Sequence, residues 1–225
     1  GSPHFNAYSV HTIAHNSILV NGKGQVWKAE GGDGKITGWF DSPAFGYTVG
    51  DASARPIYDG AIKRFDRRLL FIKPGFLIVH DLLEAAEGPA QFDWLLHSHT
   101  DDPMPINEAE AAFDITRPRA ALRGRILAPA GLKMRVERSF DPTLISKRKS
   151  SERIEDASGV IREWTMTATP PEPSRAQEFL AAMQISRRDG LAEPEAAFHK
   201  IETANALGVK IAQDGATRIV LLRKM

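Results

Sequence analysis

Histidines are the side chains in this sequence whose type and spacing could support chemistry. The chain has seven of them, and two pairs have spacings found in metal sites: His11 with His15, and His97 with His99. A four-residue separation places two imidazoles on one face of a helix, where they can share a zinc ion. The secondary structure around each pair therefore decides which pair can bind a metal.

The first pair is predicted to lie on a strand. The residues from Thr12 to Val20 include several β-branched side chains and run into the turn sequence Asn21-Gly22. Four residues of a regular strand span about 13 Å at about 3.3 Å each, whereas zinc ligands sit about 2 Å from the ion. We therefore expect that His11 and His15 do not share one ion.

The second pair is compatible with a shared metal if it lies on a strand. There, His97 and His99 point to the same side and are about 6.6 Å apart along the backbone, and Asp101 and Asp102 follow closely. The alternative is that these histidines cap the solvent end of a sheet whose other face buries the apolar residues before them. A single His-x-His motif leaves both alternatives open.

Composition excludes several other kinds of site. The chain has no cysteine, which rules out disulfides, a thiolate nucleophile and Cys-ligated zinc. Its formal net charge is +1, so no global field favours nucleic acid or an anionic membrane as a partner. No apolar run approaches the roughly 20 residues that cross a bilayer. The sequence also has no Gly-x-Ser-x-Gly elbow, phosphate loop or dinucleotide fingerprint.

Turn signals recur along the chain and separate short strand-like runs. The runs Leu69–Ile72 and Phe76–Val79 are apolar on both faces and flank Lys73-Pro74-Gly75, which predicts a hairpin of two central strands covered by layers on both sides. Asp214-Gly215 predicts a second hairpin near the C-terminus, and the alternation from Leu132 to Glu137 predicts a half-buried strand. The sequence therefore predicts an all-β protein, a layered antiparallel β-sandwich.

Two segments leave alternatives open. The residues from Ser174 to Ile185 include good helix formers, yet the β context favours a strand near Phe179 to Ile185. The basic stretch from Ser146 to Arg153 predicts a solvent-facing loop or a weak domain boundary, and its cations could also contact an anionic polysaccharide. We therefore divide the chain into a main sandwich over 1–145 and a continuation or smaller C-terminal β-subdomain over 146–225.

Three stretches in the first half of the chain resemble the heparinase II/III-like family of polysaccharide lyases. The stretch from Thr12 to Gln25 is similar to the "AHN" strand of that family and the turn that follows it. Gly50-Asp51-Ala52-Ser53, followed by Arg64 to Asp81, resembles its "GDA" segment and a hairpin of the R-x-x-x-F-x-K-P kind. The third stretch, Trp94-Leu95-Leu96-His97 at the end of the next predicted strand, also resembles the family. One departure is His80, where an acidic residue is expected.

The resemblance implies an architecture, a reaction and a few site residues. Members of the family have an N-terminal α/α toroid followed by layered antiparallel β-sheets, and they cleave uronic-acid polymers by β-elimination at a site between the two. The histidine of the "AHN" strand is a zinc ligand in the family and corresponds to His15. His4 and Asn16 are candidates for binding substrate. The other zinc ligands and the catalytic groups would lie upstream, so no catalytic residue is assigned here.

The leading hypothesis is the β-domain of a polysaccharide lyase that acts on a heparin, heparan or alginate type of substrate. It implies structural zinc, an acidic polysaccharide as partner, a toroid domain missing from this chain, and a periplasmic or secreted location. The 225-residue chain is expected to be inactive alone. One alternative is a non-catalytic carbohydrate-binding or structural β-sandwich. Another is a small metal-dependent β enzyme that uses His97 and His99.

Overall fold

The computed structural model of the protein describes residues 8–98, 102–138, 164–188 and 194–224, and these residues form an all-β structure. Two short 3-10 helices, Thr12–Ala14 and Glu108–Glu110, accompany the strands, and no α-helix occurs in the described part of the chain. The strands are β1 Ile18–Val20, β2 Lys35–Asp41, β3 Phe45–Asp51, β4 Ile62–Ile72, β5 Phe76–Ala85, β6 Phe92–Ser98, β7 Ile106–Asn107, β8 Ala112–Thr116, β9 Ala120–Ala128, β10 Lys133–Glu137, β11 Trp164–Thr169, β12 Ala176–Arg187, β13 Ala197–Glu202, β14 Ala206–Gln213 and β15 Ala216–Arg223. No helix among the described residues has the length and apolar character needed to cross a membrane.

The strands assemble into three layers. An eight-stranded sheet in the order β2-β3-β4-β5-β12-β9-β8-β7 forms the middle layer. A four-stranded sheet, β1-β6-β11-β10, packs on one of its faces, and a three-stranded sheet, β13-β14-β15, packs on the other. The strand pairs are antiparallel in all three sheets. The predicted layered antiparallel β-sandwich is therefore confirmed.

Two apolar clusters hold the layers together. The larger cluster lies between the four-stranded and eight-stranded sheets and includes Phe92, Phe113 and Phe179. The smaller cluster lies between the eight-stranded and three-stranded sheets and includes Ile78 and Ile211. Because successive side chains of a strand point to opposite faces, the central strands β5 and β12 contribute to both clusters.

The hairpin predicted around Lys73-Pro74-Gly75 is confirmed as β4 and β5. Its register pairs Ile72 with Phe76 and Leu69 with Val79. Ile78 is fully buried and Val79 is 7% exposed, although the two side chains point to opposite faces. The continuous apolar run is therefore explained by a strand that is covered on both sides.

The segment with mixed signals is a strand. Strand β12, Ala176–Arg187, lies between β5 and β9, and its four central residues have no exposed surface: Phe179, Leu180, Ala181 and Ala182. A helix presents only one apolar stripe, whereas a strand in the middle layer buries both faces. Tertiary packing thus overrides the helix propensity, as predicted from the β context.

The second half of the chain contributes strands to all three layers. Strand β11 pairs with β6 and β10 in the four-stranded sheet, and β12 lies at the centre of the eight-stranded sheet. Strands β13, β14 and β15 form the separate three-stranded sheet, which contains the predicted hairpin at Asp214-Gly215. The proposed boundary at residue 145 and the basic stretch after it lie outside the described residues.

His80 is a fully buried histidine on β5, directly before Asp81. The two side chains point to opposite faces, and His80 faces the three-stranded sheet. Its Nε2 lies 3.5 Å from the carboxylate of Glu178, while its Nδ1 has no hydrogen-bond partner among the described residues. Burial lowers the pKa of His80, the charge of Arg68 lowers it further, and the charge of Glu178 opposes that shift.

This buried imidazole makes stability depend on pH. In the unfolded chain a histidine takes up a proton near pH 6.5, whereas folded His80 takes one up only at lower pH. The unfolded state therefore binds more protons as the pH falls below 6.5, and the free energy of unfolding decreases. We expect the His80→Leu variant to lose less melting temperature than the native chain between pH 7.5 and pH 5.5. Equal losses for the two proteins would contradict a neutral, buried His80.

Candidate functional site

The residues before β1 form a tight turn that presents His15 to solvent. The turn is closed by hydrogen bonds from the His11 amide to the Tyr8 carbonyl (2.9 Å) and from the His15 amide to the Thr12 carbonyl (3.0 Å). Its buried residue Ile13 packs with Tyr8, Leu19 and Leu95 in a small separate cluster. Long-range packing of Ile13 thus selects the turn over an extended conformation.

The predicted strand from Thr12 onwards was wrong in its first part. Residues Thr12–Ala14 form a 3-10 helix, and β1 begins only at Ile18. The strand geometry that separated His11 from His15 therefore does not apply to them. Among the described residues, however, no three histidine or acidic side chains lie close enough together to hold a metal ion.

His15 retains one ring nitrogen for another ligand. The side chain is exposed, and its Nε2 lies 3.0 Å from the carbonyl oxygen of Ser9. A histidine that donates one N–H to a backbone carbonyl keeps the other nitrogen as an acceptor, which is the arrangement that metal-ligating histidines use. His15 can thus supply a single metal ligand through Nδ1.

Asn16 and His97 join this turn to strand β6. The Asn16 side-chain oxygen accepts a hydrogen bond of 2.8 Å from the His97 amide and lies 3.1 Å from His97 Nδ1. The other ring nitrogen of His97 lies 2.8 Å from the Ile13 carbonyl. Both ring nitrogens of His97 therefore contact protein oxygens, which leaves neither for a metal. Its proposed partner His99 lies outside the described residues.

A buried ion pair on strands β4 and β5 supports the same turn. Arg67 on β4 donates to both carboxylate oxygens of Asp81 on β5, at 2.6 and 2.7 Å. The Trp94 indole N–H donates a third hydrogen bond of 3.1 Å to that carboxylate. The Asp81 side chain has no exposed surface. Arg67 also donates to the Asn16 carbonyl. The position of the turn is therefore coupled to the central hairpin.

Tyr58 fixes the start of β1. Its hydroxyl donates a hydrogen bond of 2.8 Å to the Ile18 carbonyl. Burial raises the pKa of Tyr58 to about 12, so the hydroxyl keeps its proton at neutral pH and remains a donor. Tyr58 therefore serves to position the turn.

His15 lines a cavity of about 290 Å³ between the turn and the segment that follows Asn21-Gly22. The two walls are joined by a hydrogen bond of 2.6 Å from the Gln25 amide to the Thr12 hydroxyl. Gly24 packs so closely on Thr12 that a Cβ atom at position 24 would lie 2.5 Å from the Thr12 Cβ. The lining consists of Val10, Thr12, His15, Ser17, Gln25, Val26, Trp27 and Lys28.

The cavity combines groups that suit an acidic sugar. The Trp27 indole is part of the lining, and the Lys28 ammonium lies over that ring, 5.0 Å from its centre. Gln25 and His15 add hydrogen-bonding groups on opposite walls. The volume is just below the roughly 300–1,000 Å³ range of small-molecule sites. An aromatic face with a cation and an amide beside it can stack on a ring and neutralise a carboxylate.

The structure brings together only part of the predicted site. His15 lines the cavity, whereas Asn16 lies on the same turn and directs its side-chain oxygen to His97. His4 lies outside the described residues. Sequence reasoning missed Trp27 and Lys28, which the turn after β1 folds back against His15. No local pattern marks them.

The Arg67–Asp81 pair was also missed, although the sequence contains a signal for it. Both residues lie seven positions from Pro74, at the centre of the predicted hairpin turn, and the register pairs them directly. Two opposite charges placed symmetrically within apolar strands predict a cross-strand ion pair.

Comparison with known proteins identifies what the chain is similar to. The family model described as "Heparinase II/III-like, C-terminal" matches residues 1–169. The heparan sulfate lyase HepC from Pedobacter heparinus has a similar structure, with a TM-score of 0.66 and 13% sequence identity over 94% of this chain and 30% of that one. A crystal structure of heparinase III gives a TM-score of 0.64 and 11% identity over 95% of this chain and 30% of that one. No curated protein matches by sequence.

A second heparinase III structure, with methylated lysines, has a TM-score of 0.65 and 11% identity and covers 95% of this chain and 30% of its own. At these identities the likeness shows the fold. The chain thus spans about 30% of the length of the lyases it resembles.

The ion pair below the turn can be tested by removing one partner. Replacing Asp81 by alanine leaves the Arg67 guanidinium, whose side chain is 20% exposed, without its counter-ion. Breaking a buried pair in this way costs about 3–5 kcal/mol of unfolding free energy, which urea denaturation measures. The matched control Lys63→Ala breaks the exposed pair with Glu84, and we expect a much smaller loss. Similar losses for the two variants would show that Asp81 does not stabilise the fold through Arg67.

Proposed function

The chain belongs to the heparinase II/III-like C-terminal family, and from this premise we propose that it is the β-domain of a polysaccharide lyase acting on a uronic-acid-containing polysaccharide by β-elimination. The observation that carries the proposal is the cavity beside His15, which lies within the residues matched by the family model. It contains the aromatic, cationic and amide groups that an acidic sugar requires.

A uronic acid residue matches the cavity in its chemistry. Its carboxylate can pair with the Lys28 ammonium, which is exposed at the cavity wall. One face of its pyranose ring is apolar and can stack on the Trp27 indole, while a ring hydroxyl can bond to the Gln25 side chain. The cavity size suits one sugar residue of a longer chain.

The described residues supply binding and positioning, and the catalytic groups are expected from elsewhere in the complete protein. β-Elimination requires neutralisation of the C5 carboxylate, a base that removes the C5 proton and an acid that protonates the leaving O4. A tyrosine can act as the base or the acid of such a reaction. Tyr58, however, is buried, and its hydroxyl donates to the Ile18 carbonyl. We therefore propose that an N-terminal α/α toroid contributes the base and acid and closes the cleft. We also propose a periplasmic or secreted location for this protein.

A second candidate is a carbohydrate-binding β-sandwich without catalysis. The observation that favours it is that the described residues lining the cavity include an aromatic ring and hydrogen-bonding groups but no pair of side chains placed to act as base and acid. Activity of the complete protein separates the two candidates.

We expect the complete protein to release unsaturated uronate, seen as a rise in ultraviolet absorbance, from heparin, heparan sulfate or alginate. The 225-residue chain alone should give no rise, because groups that cooperate in one reaction lose most of the rate when separated. In the complete protein, Trp27→Ala should raise KM about tenfold, equivalent to about 1.4 kcal/mol of binding.

The control for this prediction is Trp39→Ala, which removes a tryptophan that is 78% exposed on β2, outside the cavity. Its KM should equal that of the native protein. Absence of lyase activity in the complete protein, with oligosaccharide binding retained, would favour the non-catalytic sandwich. An unchanged KM in Trp27→Ala would remove the cavity from the proposal.

Zinc is the cofactor that we propose for the complete protein, with His15 as one of its ligands. The exposed imidazole with Nε2 against the Ser9 carbonyl fits this role, and the remaining ligands would come from residues upstream. When bound, the ion would fix the turn and so hold the cavity wall in place.

The His15→Ala variant of the complete protein should contain less zinc and melt at a lower temperature, because it lacks one of few protein ligands. Elemental analysis and calorimetry measure both effects. His199→Gln, which changes an exposed histidine on β13, should leave zinc content unchanged. Native zinc content and melting in His15→Ala would mean that His15 only supports the turn.

A further inference from the structure

A second and larger groove lies away from the His15 cavity. It has a volume of about 790 Å³ and runs between the 3-10 helix Glu108–Glu110, strand β9, the loop that leads to β10, and strand β13. Strand β1, which follows the His15 turn, and strand β10 are the two edges of the four-stranded sheet. Three strand spacings separate these edges, or about 14 Å.

Unpaired cations line this groove. Arg125 on β9 is half-buried, and its Nε donates a hydrogen bond of 2.8 Å to the Glu110 carbonyl. Within the described part of the chain, no carboxylate lies within ion-pair distance of Arg125 or of Lys133 on β10. Two residues earlier on β9, Arg123 pairs with Asp114 at 2.9 Å. The same strand thus pairs one arginine and leaves the guanidinium tip of the other facing the groove.

The acidic residues that line the groove form no ion pair with these two cations in the described part of the chain. Glu108 turns one carboxylate oxygen to the Met134 amide, at 3.0 Å. Glu110 contributes its backbone carbonyl to Arg125 and has an exposed side chain. On the opposite wall, Lys200 is paired with Glu202 at 2.8 Å. Among the described residues, Arg125 and Lys133 are therefore the lining cations available to a ligand.

Part of the groove lining is apolar. Phe198 is 6% exposed and Leu132 is 4% exposed, and both contribute to the lining together with Pro129. A half-buried guanidinium with unused donors binds a carboxylate or sulfate in a bidentate manner. Among the apolar lining residues, Pro129 is half-buried and can contact the ring that carries that anion.

We propose that this groove is a second binding site for an acidic oligosaccharide, in which Arg125 and Lys133 bind a carboxylate or sulfate group on one sugar residue. This inference rests on the proposed function for its substrate class, and it adds a site on a different part of the domain. The two sites would allow one chain to hold a polysaccharide at two points, which raises avidity.

Calorimetric titration of the chain with defined oligosaccharides tests the proposal. The probes are an unsulfated oligouronate from alginate, a sulfated heparin oligosaccharide and inorganic sulfate. We expect two sites per chain for at least one oligosaccharide. The double variant Arg125→Gln, Lys133→Gln should lower the affinity of one site at least tenfold, and Trp27→Ala should weaken only the other. Binding of the heparin oligosaccharide but not of the oligouronate to the groove identifies the anion as sulfate, because both probes carry carboxylates.

A charge-matched control removes two exposed lysines elsewhere, Lys35→Gln and Lys210→Gln, and should bind like the native chain. Native-like melting temperatures show that the variants fold. If the groove variant keeps both sites, or if inorganic sulfate binds the groove as tightly as either oligosaccharide, the proposal is overturned. If only the groove site is found and Trp27→Ala has no effect, the groove proposal is supported. The sugar-binding role given to the His15 cavity under the proposed function is then contradicted.

Discussion

A buried carboxylate needs a counter-charge and hydrogen bonds, and Asp81 receives both at the centre of this domain. Arg67 supplies two charge-assisted bonds and Trp94 a third, so that strands β4, β5 and β6 are joined across two sheets. The same guanidinium reaches the Asn16 carbonyl. The turn that carries His15 therefore depends on an ion pair in the sandwich interior. Such a pair contributes little net stability when intact, yet it is costly to break.

The central hairpin separates two polar environments by the alternation of its side chains. Asp81 faces the four-stranded sheet, where both of its carboxylate oxygens accept hydrogen bonds. His80 faces the three-stranded sheet, and its Nδ1 has no hydrogen-bond partner among the described residues. The first environment holds a charged group, and the second favours a neutral one because burial and Arg68 lower the pKa of His80. Adjacent residues thus lie in different polar environments because the middle layer is covered on both sides.

The candidate binding surfaces lie on connections held by the sheets. The His15 cavity is formed by a 3-10 turn and the return segment after β1, locked by the Thr12 hydroxyl and the close approach of Gly24. The second groove lies where a loop and two strands from different sheets meet. Rigid sheets with variable connections are a common way to support binding sites, and here both sites follow from how the layers meet.

The sequence by itself determined the β class, the central hairpin and the family resemblance, because these depend on local patterns. Runs apolar on both faces around Lys73-Pro74-Gly75 require a doubly covered strand pair, and the same symmetry about Pro74 contains the Arg67–Asp81 pair. Tertiary structure decided the conformation from Thr12 to Ser17. The contacts that fix it join residues 40, 51 and 81 positions apart: Tyr58 to Ile18, Arg67 to Asn16 and His97 to Asn16. No periodicity encodes such contacts, so the strand predicted from the β-branched residues began too early, at Thr12 instead of Ile18. For the same reason, only the folded structure places Trp27 and Lys28 beside His15.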